Sequence, residues 1–211
     1  MIFSLIQQQP LAAIVFLLAI VMAISVHEFS HALAGFLQGD NTAKYDGRLT
    51  LNPLAHLDMT GSIMLLLVGF GWGKPVPYNP YNLKYKKWGP VFVGLAGPVA
   101  NLITFLLAGI LYNILTFFLD LGPSNLLIVF LFYLGIINVG LMLFNLLPLP
   151  PLDGSKLLDA LLPDRYSDFK ENLFRYGPYI LLSLLVLDIV LNVPVFGWLG
   201  NIMEAIFFLL F

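Results

Sequence analysis

From Leu11 to Leu37 the chain is apolar at nearly every position, broken mainly by Ser25, His27, Glu28, Ser30 and His31. That run exceeds the roughly 20 residues a helix needs to cross a bilayer, and Pro10 suits the first turn of a helix, so the pattern predicts a membrane span starting there. A second long apolar stretch runs from Trp88 to Leu119 and a third from Leu126 to Leu147. Two shorter stretches, Tyr179 to Leu191 and Val195 to Phe211, are each brief for about 30 Å of hydrocarbon and predict a fourth and a fifth span arranged as a tilted hairpin. Ile63 to Phe70 is apolar but much too short to cross, which predicts a strand or a re-entrant piece between the first two long spans. The expected fold is an all-α polytopic membrane protein of about five transmembrane helices.

Composition sharpens this into a class. The chain is 59% hydrophobic and 10% charged, with a mean hydropathy of +0.89, far from the balance of a soluble domain. The polar stretches are too short for a separate soluble module, so residues 1–211 are expected to form a single integral membrane domain. Its motifs fall within 19–154 and its C-terminal helices within 176–211. A net charge of -2 gives no sign of a nucleic-acid partner. The absence of cysteine excludes a thiolate metal site, leaving His and carboxylate as ligands. Met1 to Pro10 lacks the basic region of a secretory signal, and removing the apolar segment behind it would discard the polar residues it carries.

Those polar residues are the candidate chemistry. His27-Glu28-Phe29-Ser30-His31 is an HExxH pattern. Residues four apart share a helix face, so His27 and His31 can aim ring nitrogens at one Zn²⁺ while Glu28 stays close enough to handle a proton from water. In a soluble chain the match would be weak. Here each ionisable group costs at least roughly 2.5 kcal/mol at the bilayer centre, and three in one apolar helix call for a compensating function. The bland alternative is a polar face hydrogen-bonded inside a helical bundle.

All ten Lys and Arg residues segregate. Lys44, Arg48, Lys74, Lys84, Lys86 and Lys87 lie between the first two long spans, and Lys156, Arg165, Lys170 and Arg175 follow the third. The positive-inside rule therefore predicts both basic loops in the cytoplasm and the N-terminus outside, a multi-pass arrangement expected in the plasma membrane. Alternation over five spans brings Phe211 to the cytoplasmic face. His31 then lies roughly 10 to 15 Å inside the cytoplasmic end of the first helix, which calls for a polar cavity open to that side.

A third ligand is sought in Asn145-Leu146-Leu147-Pro148-Leu149-Pro150-Pro151-Leu152-Asp153-Gly154. The prolines end the third long helix and bring Asp153 near the same depth. Asp153 equally suits the N-cap of a helix from Ser155 to Leu162, ending at Pro163, and the residues alone leave cap and ligand open. Asp159 and Asp164 lie further into the basic loop. His56 sits in a loop where a structural role is the better expectation.

Taken together these segments resemble the site-2 protease family of intramembrane zinc metalloproteases. His27 to His31 is similar to its HExxH, Asn145 to Gly154 to its NxxPxPxLDG segment, and Gly97-Pro98-Val99-Ala100-Asn101 to its Gly-Pro-x-x-Asn signature. The resemblance covers roughly Ala19 to Gly154 and implies one Zn²⁺ held by His27, His31 and Asp153. Glu28 is implied as general base and acid for cleaving a peptide bond in or near a substrate's transmembrane segment. Asn101 is a candidate catalytic donor to the developing oxyanion, with a helix-helix hydrogen bond, aided by close approach at Gly94 and Gly97, as the alternative. Asn145 carries the same ambiguity. Gly71 to Pro77 resembles a family strand that pairs with extended substrate, although its composition equally reads as a Gly/Pro-rich turn.

The chain looks like a minimal form without an inserted PDZ domain, so access is expected to depend on prior trimming of the substrate or on a regulatory membrane partner. The expected partners are a transmembrane protein substrate and the lipid bilayer. The rival reading is a membrane metal-ion transporter using the His/Asp site. Glu28 between two same-face histidines fits hydrolysis better than a through-path.

Overall fold

The computed structural model describes residues 7–211; the first six residues of the N-terminal reading lie outside the described part. The first span forms as α1, Pro10–Leu37, with proline in its first turn. The second forms as α3, Gly89–Phe118, and the third as α4, Leu126–Asn145, started by the Asn125 side chain accepting from the Leu127 amide. Between the first two lies a ten-residue helix, α2, Met59–Val68. The polar linker after α4 carries α5, Gly154–Leu161, and the C-terminal part carries α6, Ser167–Ile189, and α7, Gly197–Phe207.

Helices α1, α3 and α4 pack against one another and form the body of the bundle. Lipid gives helices no hydrophobic reason to associate, so close backbone approach has to supply the attraction. The buried positions accordingly include Ala13, Ala19, Ala23, Ala32 and Gly35 on α1, Gly94, Gly97, Ala108 and Gly109 on α3, and Gly135 on α4. Gly135 admits the Phe211 ring, onto which Phe207 stacks at 4.5 Å.

Among the described residues, four helical segments are long and apolar enough to cross a membrane: Pro10–Leu37, Gly89–Phe118, Leu126–Asn145 and Asp164–Ile189. The short fourth stretch expected from Tyr179 is thus the apolar half of a longer helix whose first turns, Ser167 to Arg175, are polar. The fifth expected span is only the eleven-residue α7, about 17 Å long and too short to cross. Phe196, just before α7, packs against Phe144 at 5.8 Å, and Phe211 ends beside Gly135. Helix α7 therefore runs antiparallel to α4 from its Asn145 end and stops part-way along. Among the described residues, four helices of spanning length thus stand where about five spans were expected.

The Ile63-to-Phe70 region is helical rather than a strand. Asp58 caps it, its carboxylate accepting from the Gly61 amide at 2.7 Å, and Gly69 ends it in the left-handed conformation at φ 86. No strand forms among the described residues, and the region from Gly71 instead makes an isolated antiparallel bridge, Leu57 with Gly73. Lys74 donates its amide to the His56 carbonyl at 2.8 Å. Buried Arg48 locks this strip, its guanidinium donating to the Ala55, Lys74 and Pro75 carbonyls. His56 is structural, fully buried with Nε2 on the Thr50 carbonyl at 2.7 Å.

A second clamp closes the same loop. Asp40, just past α1, accepts from the Thr42 hydroxyl at 2.6 Å, the Asn79 amide at 2.7 Å and the Asn82 side chain at 3.1 Å. Burial alone pushes its carboxyl up, but these donors outweigh it and hold the group below the usual carboxylate range. A depressed carboxyl stabilises the fold above its unfolded pKa, and that contribution disappears as pH falls through the lower folded value. Acidification should therefore loosen the loop, and Asp40→Ala should loosen it already at neutral pH. Limited proteolysis in detergent would register this as faster cleavage between Tyr45 and Trp88; equal protection of variant and parent at neutral pH would remove the clamp.

Candidate metal centre

The centre is assembled from two separate parts of the chain. Helix α1 contributes His27 and His31, one turn apart, with ring centroids 4.6 Å apart. The linker beyond α4 contributes Asp153. The two Nε2 atoms lie 3.0 Å apart, and Asp153 Oδ2 lies 3.2 Å from each. All three residues are buried and form a group able to hold a metal ion. Asp159 instead pairs with Lys170 at 3.3 Å.

Hydrogen bonding assigns the protons. His31 Nδ1 lies 2.6 Å from the Val93 carbonyl, which can only accept, so Nδ1 carries the hydrogen. For His27 the assignment runs through two amides. Asn138 donates to the Leu134 carbonyl at 2.7 Å, which turns its own oxygen toward Asn101. Asn101 donates to that oxygen at 2.7 Å and turns its Oδ1 to His27 Nδ1 at 2.5 Å. Each neutral imidazole then holds its one proton on Nδ1. In that neutral state both Nε2 lone pairs face each other and a carboxylate oxygen.

Three buried lone pairs converging without a proton between them repel one another unless a cation sits among them. Their spacing also fits one. Ligand bonds of about 2.0 to 2.1 Å in a tetrahedron put neighbouring donor atoms about 3.3 Å apart, close to the 3.0 and 3.2 Å observed. The donor set, two imidazoles and one carboxylate, suits zinc and leaves a fourth position.

Gly97 makes room for this arrangement. A Cβ there would come within 2.5 Å of both His27 Cε1 and His31 Nε2, so α3 presses bare backbone against the two rings. The cap role for Asp153 is not taken up: it makes no side-chain cap hydrogen bond, and its backbone is already helical at φ -64 and ψ -34.

Glu28 is half-buried on the neighbouring face of α1. No hydrogen bond or ion pair engages it among the described residues, and its Oε1 would lie 3.4 Å from a Cβ at Gly73. The Leu57-Gly73 bridge thus brings the Gly71-to-Lys74 backbone alongside it. Asn101 is fully buried, and its amide is directed onto His27 and Asn138. Asn145 is half-buried and donates to the Leu141 carbonyl of its own helix at 3.0 Å.

Three participants escaped the sequence reading. Asn138 carried a signal, being an amide in an otherwise apolar span. Lys156, which donates to Asp153 Oδ1 at 2.9 Å, registered only as a basic loop residue. The Val93 carbonyl has no signature at all.

Known proteins agree with this chemistry. The family model described as Peptidase family M50 matches residues 122–185. "Putative zinc metalloprotease YwhC" of Bacillus subtilis (strain 168) is 39% identical over 187 residues, covering 84% of this chain and 83% of that protein. "Putative zinc metalloprotease Rip2" of Mycolicibacterium smegmatis is 34% identical, covering 72% of this chain and 60% of its own length. The protein of the same name from Mycobacterium tuberculosis (strain ATCC 25618 / H37Rv) is 28% identical over 94% of this chain and 76% of its own length. No solved structure matches the chain significantly.

The Gly97 contact yields a direct test. Gly97→Ala should cut bound zinc, measured by elemental analysis after washing, at least as severely as Asp153→Ala. Full zinc occupancy in the alanine variant would show that the histidines do not depend on that gap.

Proposed function

This chain belongs to peptidase family M50, the site-2 proteases, and on that premise we propose that His27, His31 and Asp153 hold one zinc ion while Glu28 moves the protons of peptide-bond hydrolysis. The observation that carries the reading is the convergence of three potential ligand atoms, 3.0 to 3.2 Å apart, inside an apolar bundle. The family and its relatives make the chain an integral membrane zinc metalloprotease, and nothing in them supports the transporter reading.

Zinc in such a site supplies Lewis acidity and lowers the pKa of water toward neutrality. Glu28, unengaged and beside the centre, takes the proton of the attacking water and returns it to the leaving amine, so no net proton is consumed. The substrate is the transmembrane segment of another membrane protein, unwound enough to expose one peptide bond. The Gly71-to-Lys74 backbone beside Glu28 offers it an edge for extended pairing. Asn101 serves the reaction by fixing the His27 tautomer rather than by binding the oxyanion, because it is fully buried with its oxygen on His27 and its nitrogen on Asn138.

The confinement of all ten Lys and Arg residues to the two loops flanking the first and third long spans supports an orientation with the N-terminus outside and both basic loops in the cytoplasm, the centre opening to that side. In this cysteine-free chain, Lys87→Cys and Ser124→Cys should react with an impermeant thiol reagent from opposite sides. Labelling of both from one side overturns the orientation.

Glu28→Gln keeps the size of the side chain but cannot accept the proton. The purified variant should hold near-normal zinc and lose cleavage of a transmembrane substrate by at least about 10²-fold. Parent-like turnover by the zinc-loaded variant would refute the role, and loss of zinc together with activity would move Glu28 to holding the metal.

A further inference from the structure

We propose that Lys156 is a positioning residue of the metal centre: its ammonium holds the Asp153 oxygen turned away from the histidines, so that the carboxylate offers the metal one oxygen only. The inference rests on the zinc reading of His27, His31 and Asp153. The two carboxylate oxygens are divided between partners. Oδ2 faces both Nε2 atoms at 3.2 Å, and Oδ1 accepts from Lys156 Nζ at 2.9 Å. The carboxylate side chain is 9% exposed and the lysine side chain 23%, so the pair is largely withdrawn from solvent.

Local helix stability does not ask for a lysine here. Lys156 is the third residue of α5, in the first turn, where the helix dipole opposes a cation. The surroundings nonetheless accommodate it. A Cβ on Gly94 would lie 2.6 Å from Lys156 Cδ, so α3 gives up a side chain where the lysine stem passes. The Tyr78 ring lies 5.7 Å from the ammonium, within reach of a cation-π contact. Helix α3 and the loop before it thus confine the lysine that α5 supplies.

Carboxylates bind metals through one oxygen or two. A second Asp153 oxygen turning inward would take the fourth position, which water and the scissile carbonyl need. Lys156 keeps that oxygen occupied, and removing such an outer partner typically costs about 10- to 100-fold in affinity or activity.

Cobalt(II) in place of zinc reports coordination number, because its visible absorption weakens when a four-coordinate site becomes five-coordinate. Lys156→Met, purified in detergent and loaded with Co²⁺, should show weaker visible bands per bound ion than the parent. Its turnover of a transmembrane substrate should fall about 10- to 100-fold with zinc bound. Lys156→Arg, which can still donate to Oδ1, should restore both. Parent-like absorption and turnover in Lys156→Met overturn the proposal. If that variant melts with the detergent-denatured control, Lys156→Gln against Lys156→Arg carries the comparison, and equal spectra and turnover in those two overturn it as well. A parent protein that takes up no Co²⁺ would instead count against the metal reading itself.

Discussion

Three lone pairs held about 3 Å apart inside an apolar bundle are the constraint to which the rest of this structure answers. Two imidazole nitrogens and a carboxylate oxygen at 3.0 and 3.2 Å cannot be left facing one another in a medium of low polarity without a cation. Each must also be prevented from turning away. The Val93 carbonyl fixes one ring, the Asn101-Asn138 chain fixes the other, and Lys156 takes the spare carboxylate oxygen. Every one of these partners comes from a segment other than α1, so the site exists only when the bundle is closed.

Closing the bundle depends on small residues. Helix α3 can lie against the two histidine rings only because Gly97 has no side chain, and it leaves room for the Lys156 stem only because Gly94 has none. The same absence that brings backbones close enough for van der Waals attraction in lipid also makes the volume for the metal. Packing and chemistry are therefore one demand on α3.

The loop between α1 and α3 is fixed as firmly as the helices. Arg48 binds three carbonyls from two stretches of it, and Asp40 gathers donors from Thr42, Asn79 and Asn82. These clamps set the Gly71-to-Lys74 backbone beside Glu28. A polar loop carrying a buried arginine and a buried aspartate works as a frame for the reactive face rather than as a connector.

Features that depend on local composition and short spacing were legible in the amino-acid sequence. Long apolar runs placed α1, α3 and α4 to within a residue or two, because a span must satisfy its backbone internally and its length is set by the bilayer. The four-residue spacing put His27 and His31 on one face, and the motif resemblance singled out Asp153. Short elements were not legible in the same way. An eight-residue apolar run reads alike as strand or helix, and the Asp58 cap before it and the left-handed Gly69 near its end made α2 a helix. The course of α7 depended on where phenylalanine rings find glycines on other helices. That Asp153 turns to the histidines instead of capping α5, and that Asn101 faces His27, follows from how the helices pack. Those outcomes rest on hydrogen bonds between residues dozens of positions apart, whose energies no local pattern encodes.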